Sequence, residues 1–136
     1  MQDYHRLKVW EKAHHLTLEI YRLTASFPKH ELYGLASQMQ RSSSSVPTNI
    51  VEGCGLSTNR ELLKHLHYSM GSAKELEYQL LLSRDLGYIQ EGDYARLTTE
   101  VGEIERMLSA LILTQTRPDE AKLRSLQTTN HELLTR

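Results

Sequence analysis

The spacing of apolar residues is the feature that most constrains this fold. Four segments carry an apolar or small residue at alternating intervals of three and four positions. This spacing places those residues on one side of an α-helix that packs on its neighbours at a shallow angle, whereas a strand would need alternation at every second position. The predicted core positions are Val9, Ala13, Leu16, Ile20, Leu23, Phe27; Leu32, Ala36, Met39, Ser43, Val46, Ile50; Leu62, Leu66, Ser69, Ala73, Leu76, Leu80; and Tyr94, Leu97, Val101, Ile104, Leu108, Leu111.

Proline and glycine separate the four segments. Pro28 and Pro118 are expected to end the first and fourth helices, because the residue before a proline avoids the α region. Glycine is available for a left-handed cap at the end of the second helix, in residues 53–55, and Gly87 closes the third. The helices are therefore predicted over about 8–27, 31–52, 59–86 and 92–116.

Short connections between these helices decide the architecture. Consecutive helices joined by short loops run antiparallel, so the sequence predicts an all-α, up-and-down four-helix bundle over residues 1–117. Ser57 or Thr58 can cap the N-terminus of the third helix. Residues 118–136 form a polar C-terminal tail with weak periodicity, which we expect to be loosely ordered.

Pro47 lies inside the predicted second helix, where it removes a backbone hydrogen bond. We expect the helix to be kinked near Pro47, with the freed carbonyl groups bonded by hydroxyls of the serine run at 42–45. The alternative is a bent element shaped for an oligomer interface or a partner.

Composition excludes several classes of protein. Lys and Arg number 16 and Asp and Glu 17 in 136 residues, so the net charge of −1 argues against a dedicated electrostatic binder of nucleic acid. The single cysteine, Cys54, cannot form an internal disulfide, which fits a reducing compartment. The sequence shows no signal core and no apolar run long enough for a bilayer, so a cytoplasmic protein without a membrane partner is expected.

The motifs of catalysis and metal binding are missing from the sequence. Di-iron bundles need a Glu-x-x-His motif on each of two helices, whereas the sequence has this spacing once, from Glu11 to His14, and His65 and His67 lie on different helix faces. Cys54 is predicted near a helix C-terminus, which does not help a thiol ionise. The glycines at 53 and 55 lack the strand and the lysine of a phosphate loop. We therefore expect no enzyme, no cofactor and no metal.

Polar residues interrupt the apolar faces of the second and third helices: Asn49, Glu52, Ser72, Glu75 and Glu77. A buried carboxylate needs a donor, and Arg41 is a plausible donor to Glu75. These residues are predicted either to form a network that fixes helix register or to form a contact surface for a partner.

Basic side chains of the first helical hairpin are candidates for contacts with a phosphate backbone. The positions considered are Lys8, Lys12, Arg22 and Lys29. The second hairpin is acidic, chiefly through Glu100, Glu103 and Glu105. This mild asymmetry suits complementary packing of subunits as readily as contact with nucleic acid.

Three ordered blocks of residues resemble a known family. The blocks are Leu7, Val9, Trp10, Ala13, Leu16 with Tyr21, Leu23, Thr24, Phe27, Pro28, Glu31, Tyr33, Gly34, Leu35; then Gln38, Arg41, Ser45, Val46, Pro47, Asn49, Ile50, Glu52, Gly53; then Gly71, Ser72, Glu75, Leu76, Glu77, Gln79, Leu80. From about Leu7 to Leu113 the chain is similar to the bacterial four-helix-bundle proteins encoded by intervening sequences of 23S ribosomal RNA genes.

The resemblance implies a homopentamer around a central channel, with the proline inside the second helix. It also implies kinship with the accessory variability proteins of diversity-generating retroelements, which bind a reverse transcriptase and nucleic acid.

These observations lead to one hypothesis and one alternative. The hypothesis is a non-enzymatic, homo-oligomeric helical scaffold that binds RNA, DNA or a nucleoprotein partner, with Arg41, Asn49 and Glu52 as the motif positions of interest. The alternative is an adaptor that binds protein without touching nucleic acid. Basic side chains that converge on one face favour the first, and scattered basic side chains paired with acids favour the second.

Overall fold

A computed structural model describes residues 2–134 of the chain, with side chains described through residue 116. Its helices are α1 (Lys8–Thr24), α2 (Leu35–Cys54), α3 (Asn59–Asp85) and α4 (Glu91–Leu134). Short 3₁₀ turns at Tyr4–Arg6 and Lys29–Glu31 precede α1 and α2. Residues 2–134 contain no strand. The predicted all-α four-helix bundle is therefore confirmed.

Hydrogen bonds and ion pairs between neighbouring helices show that the bundle is up-and-down. Along α1 and α2, Thr17 contacts Ser43 and Thr24 contacts Gln40, so higher numbers on one helix meet lower numbers on the next. The same reversed order holds for α2 with α3, α3 with α4 and α4 with α1. All neighbouring pairs are thus antiparallel, and α4 closes the bundle against α1.

Most of the predicted core positions are buried; Leu23, Tyr94 and Leu111 are half-buried at the edge of the core, and one predicted position is exposed. Residues such as Ile20, Met39, Leu76 and Ile104 are at most 1% exposed. Leu32, in contrast, is 58% exposed. The prediction was wrong there because α2 begins at Leu35 rather than near residue 31, so Leu32 belongs to the connecting segment.

The end of α3 follows the sequence prediction in detail. Gly87 has a φ of +78°, the left-handed conformation that glycine adopts without a side-chain clash. Its N–H donates to the Arg84 carbonyl, and the N–H of Tyr88 donates to the Ser83 carbonyl, both at 2.9 Å. These two hydrogen bonds together form a Schellman motif. At the other end of α3, the Thr58 side chain accepts from the Glu61 N–H and so provides the cap.

The two glycines near the end of α2 do not provide the predicted left-handed cap. Gly55 has a φ of −79°, so it is not a left-handed cap. Gly53 lies within α2, and a Cβ there would lie 3.0 Å from His65 Cβ and 3.1 Å from Leu62 Cδ1. Gly53 is therefore required for the close approach of α2 and α3.

α2 runs continuously through Pro47. Pro47 has no N–H, so the carbonyl of Ser43 lacks its helical partner. The prediction that serine hydroxyls would bond such carbonyls was wrong for this group, since its donor is the Thr17 hydroxyl of α1 at 3.0 Å, which the Ser43 carbonyl shares with the Ala13 carbonyl at 2.8 Å. The hydroxyls of Ser42, Ser43 and Ser44 instead lie 3.1–3.3 Å from carbonyls three residues earlier in α2.

The fourth helix is longer than expected. The sequence predicted an end at about residue 116, before Pro118, but α4 continues to Leu134. The residues after the proline, including Glu120, Ala121, Lys122 and Leu123, have high helix propensity, which offsets one lost hydrogen bond. The side chains of residues 118–136 lie outside the described residues, so the loose order expected for this tail stays a prediction.

Candidate interaction surfaces on the bundle

Neutral polar side chains hold α2 against α3. The Ser42 hydroxyl lies 2.6 Å from Gln79 Oε1, and the Ser69 hydroxyl donates to the Val46 carbonyl at 2.9 Å. Ser42, Gln79 and Ser69 are all at most 4% exposed. Because buried polar groups without a partner are costly, these bonds fix the register of the two helices.

Asn49 and Glu52 meet a histidine that the sequence analysis did not place with them. Nδ1 of His65 lies 3.0 Å from Asn49 Oδ1 and 3.5 Å from Glu52 Oε2. Asn49 also donates to the carbonyl and hydroxyl of Ser45. Asn49 is half-buried, and Glu52 is exposed on the outer side of α2. The offset of sixteen residues between Asn49 and His65 leaves no signal in sequence spacing.

Arg41 and Glu75 line the same groove on the outer face of α2 and α3. The groove has a volume of about 420 Å³, and its other lining residues are Gln38, Ser42, Ser45 and Ser72. Within the described part of the chain, Arg41 forms no ion pair with Glu75 or any other carboxylate. Both side chains are exposed, and Glu75 accepts from the Gln79 amide at 3.3 Å. The donor expected for Glu75 is therefore Gln79 rather than Arg41.

The outer side of α3 carries aromatic residues around a glycine. Tyr68 and Tyr78 are 51% and 61% exposed. Gly71 lies between them, and a Cβ at this position would meet nothing within 4 Å. We call the surface formed by Arg41, Tyr68, Gly71, Glu75 and Tyr78 the α2–α3 outer face.

The four predicted basic contacts do not converge in the single chain. Lys8 and Lys12 lie in the first turns of α1, whereas Arg22 lies in its last turn and Lys29 in the following 3₁₀ turn. Lys12 forms an ion pair with Glu103 at 3.0 Å. Lys8 and Arg22 are roughly 20 Å apart along the axis, given about 1.5 Å per residue.

A different set of cations gathers around one end of the bundle. Its members have no carboxylate at ion-pair distance among the residues described: Arg6, Lys8, Arg60, Lys64 and Arg106. Contacts from Gln2 to Cys54 and from Asn59 to Gln115 bring the start of α1, the start of α3 and α4 together at this end. Helix direction, inferred from the loops, is the sequence signal that could have grouped them.

A charged groove separates α1 from α4. It has a volume of about 520 Å³ and lies beside Arg96, which pairs with Glu19, Asp93 and Glu100. Burial, followed by the charge of Glu19, raises the pKa of Glu100. These acids saturate the guanidinium group, so the groove resembles a solvated ion-pair network rather than a binding site for an anion.

The described residues contain no constellation for chemistry. No group of three His, Cys, Asp or Glu side chains in this part of the chain could hold a metal ion. Cys54 is 2% exposed, and burial raises the pKa of its thiol, so it is a poor nucleophile. In the portion of the chain that is described, no helix has both the length and the apolar character to cross a membrane.

Comparisons with known proteins agree with the fold. The crystal structure of a protein of unknown function from the S23 ribosomal protein family of Bacteroides thetaiotaomicron superposes with a TM-score of 0.72 and 24% sequence identity, covering 76% of this chain and 94% of that one. No curated protein sequence matches the chain. The model of the 23S rRNA-intervening sequence protein family matches residues 5–110. This match spans most of the bundle, and the chain therefore belongs to the 23S rRNA-intervening sequence protein family.

Proposed function

We propose that this protein is a non-enzymatic helical scaffold of the cytoplasm that binds other proteins, beginning with further copies of itself. The observation that carries the proposal is the α2–α3 outer face, where two exposed tyrosines flank an exposed glycine beside the unpaired Arg41. Tyrosine and arginine are enriched at the centres of protein interfaces, so this composition favours a protein partner.

Gly71 supports this interpretation because nothing inside the subunit requires it. A glycine in a helix interior costs about 1 kcal/mol relative to alanine. At Gly53 the neighbouring helix explains the glycine, but at Gly71 the space is open. A partner whose backbone approaches α3 at this point would use the missing side chain.

The distribution of charge also favours protein partners over a phosphate backbone. The predicted basic contacts are scattered, and four cations are paired with acids on a neighbouring helix: Lys12, Lys74, Arg84 and Arg96. Arg41 and Glu75, both exposed on the outer face, give two copies complementary charges to exchange. The homopentamer implied by the family resemblance would repeat each surface five times, and weak sites gain avidity by such repetition.

Light scattering on the purified chain tests self-association. The wild-type protein should be larger than a monomer, and Gly71→Lys should shift it toward the monomer while its helical circular dichroism is retained. The control is Tyr21→Lys, because Tyr21 is 48% exposed on α1, away from the outer face. A wild-type monomer, or equal dissociation by both variants, would contradict the proposed use of this face.

Nucleic-acid binding is the second candidate, and the cations at one end of the bundle favour it. Arg6, Lys8, Arg60, Lys64 and Arg106 surround that end without carboxylate partners among the described residues. In a ring, five such ends would lie side by side and attract a phosphate backbone or a nucleoprotein partner such as a reverse transcriptase.

A gel-shift series with RNA from the 23S intervening sequence, and with duplex DNA, tests this candidate. Binding should weaken steeply with salt, and Arg60→Gln with Lys64→Gln should reduce both the affinity and the salt slope. The matched control is Arg22→Gln with Lys29→Gln, which removes two cations at the opposite end. No shift at low salt, or an equal loss in both double variants, would reject the candidate.

A further inference from the structure

The packing of α3 against α4 leaves two buried carboxylate oxygens without a donor. Glu77 Oε2 and Glu105 Oε1 are shielded from solvent and have no hydrogen-bond donor in the described part of the chain, although Lys74 Nζ forms a long ion pair with Glu77 Oε2 at 3.5 Å. Burying an unpartnered carboxylate oxygen is costly, because water no longer solvates it. A proton on one of the two groups removes this cost, since a neutral carboxyl group can donate to a carboxylate.

Lys74 reaches the same two groups. Its Nζ lies 2.8 Å from Glu105 Oε2 and 3.5 Å from Glu77 Oε2. The Glu105 side chain is 13% exposed and the Glu77 side chain 43%, so burial penalises a charge on Glu105 more. One lysine charge balances one negative charge, which is the net charge of the two carboxyl groups when they hold one proton between them.

We propose that Glu77 and Glu105 share a single proton across the α3–α4 interface, and that this proton makes the packing of the two helices most stable at mildly acidic pH. The shared proton links the protonation state of the subunit to the contact between its two longest helices.

The surroundings move the two pKa values apart. Donation from the Glu105 carboxyl group, as in the proposed shared proton, is the largest influence on Glu77 and lowers its pKa, with Lys74 acting in the same direction. Burial, followed by the influence of the Glu77 carboxylate, raises the pKa of Glu105. Lys74 is the other charged group that acts on both; within the described residues α2 adds none, and α1 meets α4 through Lys12 at Glu103, about 200° around the helix from Glu105.

The direction of the pH dependence follows from these shifts. A group with a raised folded pKa loses its stabilising contribution as the pH rises through that value, and a group with a lowered pKa loses it as the pH falls. Glu105 therefore stabilises the fold at low pH and Glu77 at higher pH. The two windows overlap around the ordinary glutamate pKa of 4.5, and stability falls on both sides.

Denaturant unfolding at pH values from about 3 to about 8 tests the proposal. Above the optimum, the unfolding constant of the wild-type chain should rise with pH, by at most about tenfold per pH unit for one proton. Glu105→Gln keeps a neutral donor toward Glu77 and should remove the part of this rise that comes from Glu105, leaving the part from Glu100, whose pKa burial also raises. Glu103→Gln is the matched control, since Glu103 also pairs with a lysine, at 3.0 Å, and it should keep the rise.

A rise as steep in Glu105→Gln as in the wild-type chain, or one reduced equally in Glu103→Gln, would overturn the proposal. Carbon-13 NMR titration of the wild-type carboxyl groups provides a readout that needs no variant. We expect a midpoint above the ordinary glutamate value for Glu105 and one below it for Glu77, each broadened by coupling to the other group. Ordinary midpoints for both Glu77 and Glu105 would show that no proton is shared.

Discussion

The helices α2 and α4 are held in the bundle by different kinds of bond. α2 meets its neighbours through neutral groups that are mostly buried, as in the bonds from Thr17 to the Ser43 carbonyl and from Ser42 to Gln79. α4 meets its neighbours through charged groups at the edges of the interface, as in Lys12 with Glu103 and Lys74 with Glu105. The apolar core beneath is similar in both cases.

This difference predicts where the fold tolerates change. A buried neutral hydrogen bond has no solvent to replace a lost partner, so removing one group leaves the other uncompensated. An exposed ion pair gains little in the first place, because water and salt screen it. The position of α2 should therefore be set sharply, whereas α4 can lose single charges at small cost.

The largest effect is expected at the close approach of α2 and α3. Gly53→Val should lower the free energy of unfolding by about 3 kcal/mol, because the new side chain overlaps with Leu62 and His65. Gly102→Ala is the matched control inside α4, where a Cβ would meet only Arg106 Nη1 at 3.5 Å, and it should raise stability by up to about 1 kcal/mol. Urea unfolding of both variants measures the difference, and a neutral Gly53→Val would show that the contact is not tight.

A smaller effect is expected from one buried neutral bond. Ser42→Ala leaves the Gln79 carbonyl oxygen without its donor, at a cost of about 2 kcal/mol. Ser44→Ala should cost less than about 0.5 kcal/mol, because Ser44 is half-buried and bonds only within its own helix. Equal costs in thermal unfolding would remove the distinction between bonds across the α2–α3 interface and bonds within α2.

The bond that compensates for Pro47 should be measurable by a double-mutant cycle. Thr17→Val removes the donor to the Ser43 carbonyl and should cost about 1 kcal/mol. In a Pro47→Ala background the carbonyl regains a helical N–H, so the same change should cost less. Additive costs would mean that Thr17 does not act through the carbonyl freed by Pro47.

The smallest effect belongs to the ion pairs of α4. Lys12→Gln removes the partner of Glu103 and should lower stability by less than about 1 kcal/mol, a loss that disappears near 1 M salt. Lys8→Gln, which removes an unpaired cation four residues earlier, should change stability even less. If Lys12→Gln lowered stability more than Ser42→Ala, the ion pairs of α4 would contribute more to stability than the buried hydrogen bonds of α2.

Much of the fold could be predicted from local pattern. Most heptad positions of the four helices are buried as expected, and Gly87 closes α3 in the left-handed conformation. The prediction for Leu32 failed because α2 begins only after Gly34, whose backbone angles lie outside the helical region. The candidate surfaces were less predictable. Whether His65 contacts Asn49, and whether Arg41 meets a carboxylate, depends on how α2 and α3 pack against each other.

The sequence alone determined that the chain forms four amphipathic helices with a proline tolerated inside the second, because helical periodicity and glycine caps act over a few neighbouring residues. The tertiary structure decided which polar groups meet: Thr17 with the Ser43 carbonyl, Ser42 with Gln79, and Lys74 with Glu105. These encounters depend on the rotation and offset of each helix against its neighbour, which close packing of whole faces fixes and no single stretch of sequence encodes.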